Sequence, residues 1–379
     1  MATTNNYNFL IITHVSHSII DGKYFAYGPY VREINLWIQH TKKIVIIAPF
    51  HRSVNENKID LDYTHPNIIF YKVPAFQLTS FYEIMRALFC IPYILLVMFV
   101  GMLSATHIHL RCPGNMGLLG CIVQILFPFK KKTAKYAGNW DWKSNQPFTY
   151  KLQQRILRNT FLTHNIQTLV YGEWPDRNKN ILPFFTASYS EKEKGIDSSH
   201  TIKKNGRIQL IFVGALAKGK NPLVCLTVAS NLMQRNIPVE INFYGEGILR
   251  AALTKRITDM KMQDYAFLHG NVNSDTLKKA YQKSHFLLLL SDSEGWPKAV
   301  AEAMWWGCVP ISTPVSCVPW MLNQEQRGLL VTNSNNPNLD PLISLILHPI
   351  DYLAMAGQAK LWAQEYSLER MNHEIQKLL

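Results

Sequence analysis

Short apolar runs rich in β-branched residues alternate with stretches of helical periodicity along most of the 379 residues, and this alternation is what most constrains the fold. "NFLIITHV" (8–15) and "KIVIIAPF" (43–50) bracket "YVREINLWIQHTKK", where Val31, Ile34 and Ile38 recur at helical spacing. That is a βαβ unit. Further strands are expected at "NIIFYKVP", "HIHLRC", "TAKYAG" and "TLVYGE", with helices over about 82–103, 114–127 and 147–160. Such a succession implies a parallel sheet covered on both faces. Between 188 and 206 the chain turns polar and charged, which is read as an interdomain linker or a surface excursion, and then the alternation restarts with "IQLIFVG", "VEINFYG", "AFLHG", "HFLLLLS" and "CVPIST" separated by helical stretches. A chain of this length exceeds one ordinary core. The expectation is therefore α/β, with two doubly wound Rossmann-like domains.

Composition narrows the partners. The 47% apolar content marks a folded globular chain, and 39 Lys+Arg against 26 Asp+Glu give +13, which favours an anionic partner. No basic stripe interleaved with aromatics is visible, so nucleic acid is not the expected one. The six cysteines (90, 112, 121, 225, 308 and 317) form no CxxC pair and lie mostly in apolar segments, as reduced cytoplasmic thiols do. The N-terminal stretch lacks the pattern of a secretory signal.

"ALFCIPYILLVMFVGMLSAT" (87–106) carries no charge and has the length of a membrane span. Pro92 interrupts it, and the strands expected on either side belong to one sheet. It is read as a buried or membrane-docking helix. The basic run "PFKKKTAKY" beside it suits either docking on anionic lipid or a solvated lysine cluster. "IDLDY" (59–63) is read as a solvated loop rather than a metal-binding Asp-x-Asp. His14 and His17 are too close to each other and too isolated from cysteine or carboxylate partners for a metal site; strand-end histidines lining a cleft are the alternative.

"SDSEGWPKAVAEAMWWGCVPIS" (291–312) carries the chemistry. It begins at the carboxyl end of an apolar strand, the edge where open α/β sheets bind ligands. Pro297 suits the first helical position and Gly307 the residue past the end, so a helix is expected over about 297–306 with its free amides available to a phosphate. Glu294 precedes this helix, and Glu302 lies roughly 8 Å into it. Two carboxylates flanking a phosphate seat suit a diphosphate ligand with hydroxyls on both sides. The other reading is a solvent-facing Glu302 and a Glu294 that merely favours the helix N-terminus.

"SEGWPKAVAEAMWWGCVPI" resembles the EG-x-P-x-x-x-x-EA-x-x-x-G signature of retaining GT-B glycosyltransferases of the GT4 type. "IFVGALAKGKNPLVCLTVA" (211–229), "INFYGEGILR" and "FLHGNV" are similar to that family's further blocks, in the required order, and the resemblance covers about 207–313. "AKLWAQEYSLERMNHEIQKLL" resembles its last helix, which crosses back onto the first domain. The resemblance implies a GT-B fold: 1–200 an N-terminal acceptor-side domain, 201–358 a C-terminal nucleotide-sugar donor domain, the two facing a central cleft, and 359–379 the returning helix.

The same resemblance implies that Glu294 holds hydroxyls of the donor sugar, Glu302 the ribose, and Lys220 the diphosphate. The backbone of Gly295, Trp296, Pro297 and Lys298 would complete the cradle, with Asn271 and Val272 bordering the base and Gly214 in the first glycine loop. Lys220 makes sense without the resemblance, since a cation at a strand's carboxyl edge can neutralise a departing nucleoside diphosphate; Lys218 is an alternative.

The pattern is broken twice. Ala215 stands where many relatives carry arginine, and the region Ala137 to Asn139 where many carry a donor-facing histidine. Lys218 and Asn139 are the candidate replacements. "KYFAYGPYVREI" weakly resembles the first-domain glycine loop, with Gly28 allowing close backbone approach, and a plain strand-to-helix turn is the other reading. The implied activity is retaining, metal-independent transfer of a sugar from a nucleotide diphosphate-sugar, a substrate and not a cofactor. The acceptor would be a glycan or lipid-linked glycan in cell-surface polysaccharide synthesis, and the location cytoplasmic with peripheral contact on the inner face of the membrane. A catalytically inactive GT-B relative, acting as a membrane-associated partner in a glycan-assembly complex, is the alternative that the two breaks suggest.

Overall fold

The computed structural model describes residues 8–51, 60–77, 80–175, 178–195, 201–203, 206–332 and 337–379. The chain divides into two compact units, Met1–Phe184 with Met371–Leu379, and Phe185–Arg370. The divisions thus fall at 184/185 and 370/371 rather than at 200/201 and 358/359. The physical reason is that part of the stretch expected to be a linker is bound into the second unit. Tyr189 packs on Trp305 and Trp306 at 5.5 and 5.2 Å, Ser190 donates to Glu369 at 2.5 Å, and Glu193 pairs with Lys278 at 2.7 Å. Residues 196–200 and 204–205 of that stretch lie outside the described residues.

The first unit contains strands β1 (Asn8–Ile12), β2 (His17–Ile20), β3 (Lys23–Tyr27), β4 (Lys43–Pro49), β5 (Asp60–Asp62), β6 (Ile68–Val73), β7 (His107–Cys112), β8 (Lys131–Tyr136), β9 (Ile166–Tyr171) and β10 (Ile181–Phe184). Its helices are α1 (Gly28–Ile38), α2 (Phe81–Ser104), α3 (Asn115–Val123) and α4 (Phe148–Arg158). Seven strands make one parallel sheet in the order β10-β9-β8-β7-β1-β4-β6. Phe9 to Ile12 of β1 are wholly buried, as a strand covered on both faces must be.

The second unit repeats the plan. β11 (Ile208–Val213), β12 (Val239–Tyr244), β13 (Ala266–Gly270), β14 (Phe286–Leu289), β15 (Val309–Ser312) and β16 (Leu329–Leu330) form a parallel sheet in the order β13-β12-β11-β14-β15-β16. Helices α5 (Pro222–Gln234), α6 (Arg250–Asp259), α7 (Ser274–Lys283), α8 (Lys298–Trp305), α9 (Val318–Leu322), α10 (Asp340–Leu347) and α11 (Pro349–Ala363) surround it. The last helix, α12 (Leu368–Leu378), contributes its residues from Met371 onward to the first unit, where His40 contacts Asn372 at 3.2 Å and Lys131 donates to the Leu379 carbonyl at 2.9 Å.

"IDLDY" is not a solvated loop: Asp60–Asp62 is β5, which pairs antiparallel with β3 in a small sheet β2-β3-β5, and Asp62 meets Lys23 at 3.3 Å. His17 is wholly buried, its ring bonded to Tyr63 and the Val15 carbonyl at 2.7 and 2.8 Å, so it holds the fold rather than lining a cleft; His14, by contrast, is exposed. The basic run is not a solvated cluster either. Lys130 donates to the carbonyls of Leu103 and Ala105 and so closes the end of α2, while buried Lys132 donates to those of Gln124 and Phe127. All six cysteines are free thiols, and burial pushes Cys225 and Cys317 up to about 12, which makes them poor nucleophiles.

α2 matches its expected span. Its buried residues include Ala87, Ile94, Met98, Gly101 and Met102, and a Cβ at Gly101 would stand 2.9 Å from Ile47 and 3.5 Å from Leu10, so the helix lies directly on the sheet. Only 28% of its most apolar window is buried, and by length and composition it could cross a bilayer. Its outer face carries Phe81, Leu88, Phe89, Leu96 and Val100, all exposed.

Buried neutral histidines make the first unit acid-sensitive. Burial pushes His17 down to about 4 and His107 to about 3, against 6.5 for an unfolded chain. Between these values the unfolded chain binds the extra protons, so this stabilisation is complete above about pH 6.5 and is lost as the pH falls toward 4. The urea midpoint of the first unit is expected to be lower at about pH 5 than at about pH 7.5. Equal midpoints would contradict the assignment.

Candidate active site

The site forms at the carboxyl edge of the second sheet, where loops from β11, β12, β13 and β14 converge. Glycines bring them close. The Gly214 amide donates to the Tyr244 carbonyl at 3.0 Å, the Gly245 amide to that of Gly270 at 2.8 Å, and the Leu216 amide to that of Glu246 at 2.9 Å. Gly245 has φ +138, and a Cβ there would lie 2.0 Å from the Gly214 carbonyl oxygen. Gly245→Ala is therefore expected to push apart the loops after β11 and β12, costing at least 1–3 kcal/mol of second-unit stability through strain alone. Thermal unfolding checks this, and an unchanged Tm would contradict the close approach.

Lys220 is placed by the turn that precedes α5. Asn221 takes a left-handed conformation at φ 51, and its side-chain amide donates to the Leu290 carbonyl and to Asp292 Oδ1, both at 2.7 Å. The Asp292 amide returns a bond to the Gly219 carbonyl at 2.9 Å. These bonds fasten the Lys218–Asn221 turn to the loop after β14. Lys220 Nζ thereby meets Glu294 Oε1 at 2.5 Å, with the carboxylate side chain 9% exposed and the lysine 30%. Lys218 is exposed and Gly214 half-buried beside it.

The loop carrying Glu294 is fixed from its other side. Ser316 Oγ donates to the Gly295 carbonyl at 2.8 Å and Thr313 Oγ1 to that of Ser291 at 2.5 Å. Trp296 is buried against Trp320 and Tyr366. Pro297 is the N-cap of α8 rather than its first residue, and Gly307, at φ 77, follows the C-cap Trp306, so the helix is slightly shorter at each end than expected. The amino end of α8, which begins at Lys298, carries the positive pole of the helix dipole and can favour an anion.

Glu302 is not solvent-facing. It accepts from Ser188 Oγ at 2.6 Å and from the Tyr281 hydroxyl at 3.1 Å, and Tyr281 is wholly buried, its phenol raised well above its ordinary value first by burial and then by Glu302. The structure thus brings Lys220 and Glu294 into contact and holds Glu302 separately. Asn271 is exposed and Val272 half-buried at the end of β13.

In the first unit, Gly28 is buried at the first position of α1. Asn139 is buried, its Oδ1 accepting from the Asp141 amide at 2.9 Å and its carbonyl from Gln154 at 3.0 Å.

Sequence reasoning missed Asn221, Asp292, Ser188 and Tyr281. An Asn-Pro pair directly after "KGK" was the available signal for the first, since Asn tolerates the left-handed region and Pro opens a helix. It also missed Glu33, which sits on α1 among buried Tyr30, Ile34 and Trp37 and pairs with Arg111 and, at 3.3 Å, with Lys135. Charged residues inside otherwise apolar parallel strands were the signal there.

Residues 194–362 match the family described as Glycosyl transferases group 1. That segment resembles the group 1 glycosyltransferases. Over 174 residues the chain is 25% identical to the GalNAc-alpha-(1->4)-GalNAc-alpha-(1->3)-diNAcBac-PP-undecaprenol alpha-1,4-N-acetyl-D-galactosaminyltransferase of Campylobacter jejuni, covering 45% of this chain. It spans about half of that relative, 47% of its length.

Solved structures match nearly the whole chain. Sucrose-phosphate synthase from Thermosynechococcus elongatus has a TM-score of 0.65 at 14% identity, covering 98% of each chain. Anabaena Alr3699/HepE, in complex with UDP and glucose, has 0.67 at 10%, covering 98% of this chain and 99% of that one. Identities so low carry the fold alone, and the fold is GT-B.

Proposed function

We propose that the chain is a retaining, metal-independent glycosyltransferase that moves a sugar from a nucleotide diphosphate-sugar to a hydroxyl of a glycan acceptor. The observation that carries this reading is the Lys220–Glu294 contact at the carboxyl edge of the family-matched unit. A cation for phosphate and a carboxylate for sugar hydroxyls stand side by side, beside the amides that open α8.

In that arrangement Lys220 and the α8 amides neutralise charge developing on the departing diphosphate, and Glu294 orients the sugar through its hydroxyls. Glu302, steadied by Ser188 and Tyr281, offers its remaining lone pairs to a ribose. No residue is required as a covalent nucleophile. The C. jejuni relative is named for an undecaprenyl-diphosphate-linked acceptor, which supports a lipid-linked glycan here. The exposed apolar face of α2 supports peripheral contact with the cytoplasmic membrane.

Release of nucleoside diphosphate from a panel of nucleotide-sugars, in the presence of lipid-linked glycan extract, tests the reaction. Release by the wild type but not by Lys220→Ala is expected, and no release from any donor would favour the inactive-partner reading. For the membrane, Leu88→Glu with Leu96→Glu is expected to abolish co-sedimentation with vesicles containing anionic lipid. Sedimentation unchanged in the double variant would refute docking through α2.

A further inference from the structure

A cavity of about 420 Å³ in the first unit takes no part in the donor chemistry. Its walls include Trp140, Trp142, Lys143, Arg155, Arg158 and Trp174. Trp140 and Trp142 stand on the loop leaving β8, Trp174 follows β9, and the two arginines lie one turn apart on α4. Loops at the carboxyl ends of parallel strands are where such sheets bind ligands.

The aromatic surface is held rigidly. The Arg158 guanidinium lies 4.4 Å from the Trp140 ring and 5.4 Å from that of Trp142, and Arg155 lies 5.8 Å from Trp142. Trp140 is wholly buried, and the Trp174 indole N–H donates to the Tyr171 carbonyl at 2.7 Å. Stacking of this kind can brace a loop without any ligand. A brace, however, needs neither an open cavity nor a tryptophan left 43% exposed. Among the described lining residues, three cations face the single carboxylate of Asp141.

A ligand that fits must offer a flat C–H face to tryptophan and negative charge to arginine. The volume falls in the range of small-molecule sites and suits one or two sugar rings. A neutral sugar would bury cations without compensation, and a bare phosphate would leave the aromatic wall uncovered. We propose that this cavity binds an acidic saccharide unit, one carrying a carboxylate or phosphate, of the acceptor glycan. The proposal rests on the glycosyltransferase reading for the word acceptor, but the binding itself can be measured without turnover.

Calorimetric titration of the full chain with galacturonic acid trimer, N-acetylneuraminic acid and glucose 6-phosphate, with maltotriose and UMP as controls, tests it. At least one acidic saccharide is expected to bind, at least tenfold more tightly than maltotriose and more weakly as salt is raised. Trp142→Ala and Arg155→Gln should each weaken it at least tenfold, while Arg155→Gln leaves nucleoside diphosphate binding unchanged. Arg155 is exposed, so that variant should fold even if the Trp142 change does not. Absence of binding by all three acidic saccharides, binding that survives both variants, or tighter binding of UMP at the same residues would overturn the proposal. Acidic-saccharide binding in a protein that binds no nucleoside diphosphate would instead refute the transferase reading and leave the pocket standing.

Discussion

Lys220→Ala is expected to lower kcat by about 100- to 1000-fold, the effect of removing one preorganised group that stabilises developing negative charge. The contact with Glu294 makes the loss twofold in kind. The diphosphate loses its cation, and a nearly buried carboxylate that should hold the sugar loses its partner and turns repulsive toward phosphate. Lys220→Arg should recover little, because the longer planar guanidinium cannot occupy the same place against Oε1. Lys218→Ala provides the contrast: its side chain is exposed, and a change of less than about threefold is expected. Steady-state kinetics on the three variants decide the matter. Equal losses at Lys218 and Lys220 would mean that the ion pair does not mark the catalytic cation.

Glu33→Ala is expected to destabilise the first unit by roughly 3–5 kcal/mol, since it strips the carboxylate from two buried cations. Glu33 is 5% exposed in its side chain, Lys135 0% and Arg111 10%. Burial disfavours the charged guanidinium, yet Glu33 and neighbouring tyrosines hold Arg111 above its ordinary value, so it does not escape by deprotonating. A fall in Tm of roughly 6–20 °C follows for a unit of this size. Glu33→Leu combined with Arg111→Leu should cost less than the sum of the single changes, because the double variant leaves only one uncompensated cation. Strict additivity would show that the two side chains are not energetically coupled.

How much of this was legible in the sequence depends on whether a signal was local. Parallel strands announced themselves as unbroken apolar runs, and α2 was expected over 82–103 and found at Phe81–Ser104. The loop carrying Glu294 was readable because strand end, corner and helix start are all local chemistry. The small sheet was not readable: β5 is three residues long and polar at two of them, and exists because β3 offers it partners. The division between units was misplaced because Tyr189, Ser190 and Glu193 look like linker residues until Trp305, Glu369 and Lys278 come to meet them. The lysines at 130–135 read as surface charge for the same reason, since the carbonyls at the end of α2 and on the turn before β8, and the Glu33 carboxylate on α1, meet them only in the fold. Composition records a charge but not what lies opposite it.

The central claim, that the second unit is a nucleotide-sugar site built on Lys220, Glu294 and Glu302, is tested most directly by thermal unfolding with UDP, GDP, ADP and dTDP, in the wild type, Lys220→Ala and Glu302→Ala. At about 100 times its dissociation constant, the right nucleotide should add about 2.7 kcal/mol to the folded state. The account predicts that one of the four raises Tm by several degrees in the wild type and that both variants lose most of the rise. A rise of the same size in Lys220→Ala, or none with any nucleotide in the wild type, would contradict it.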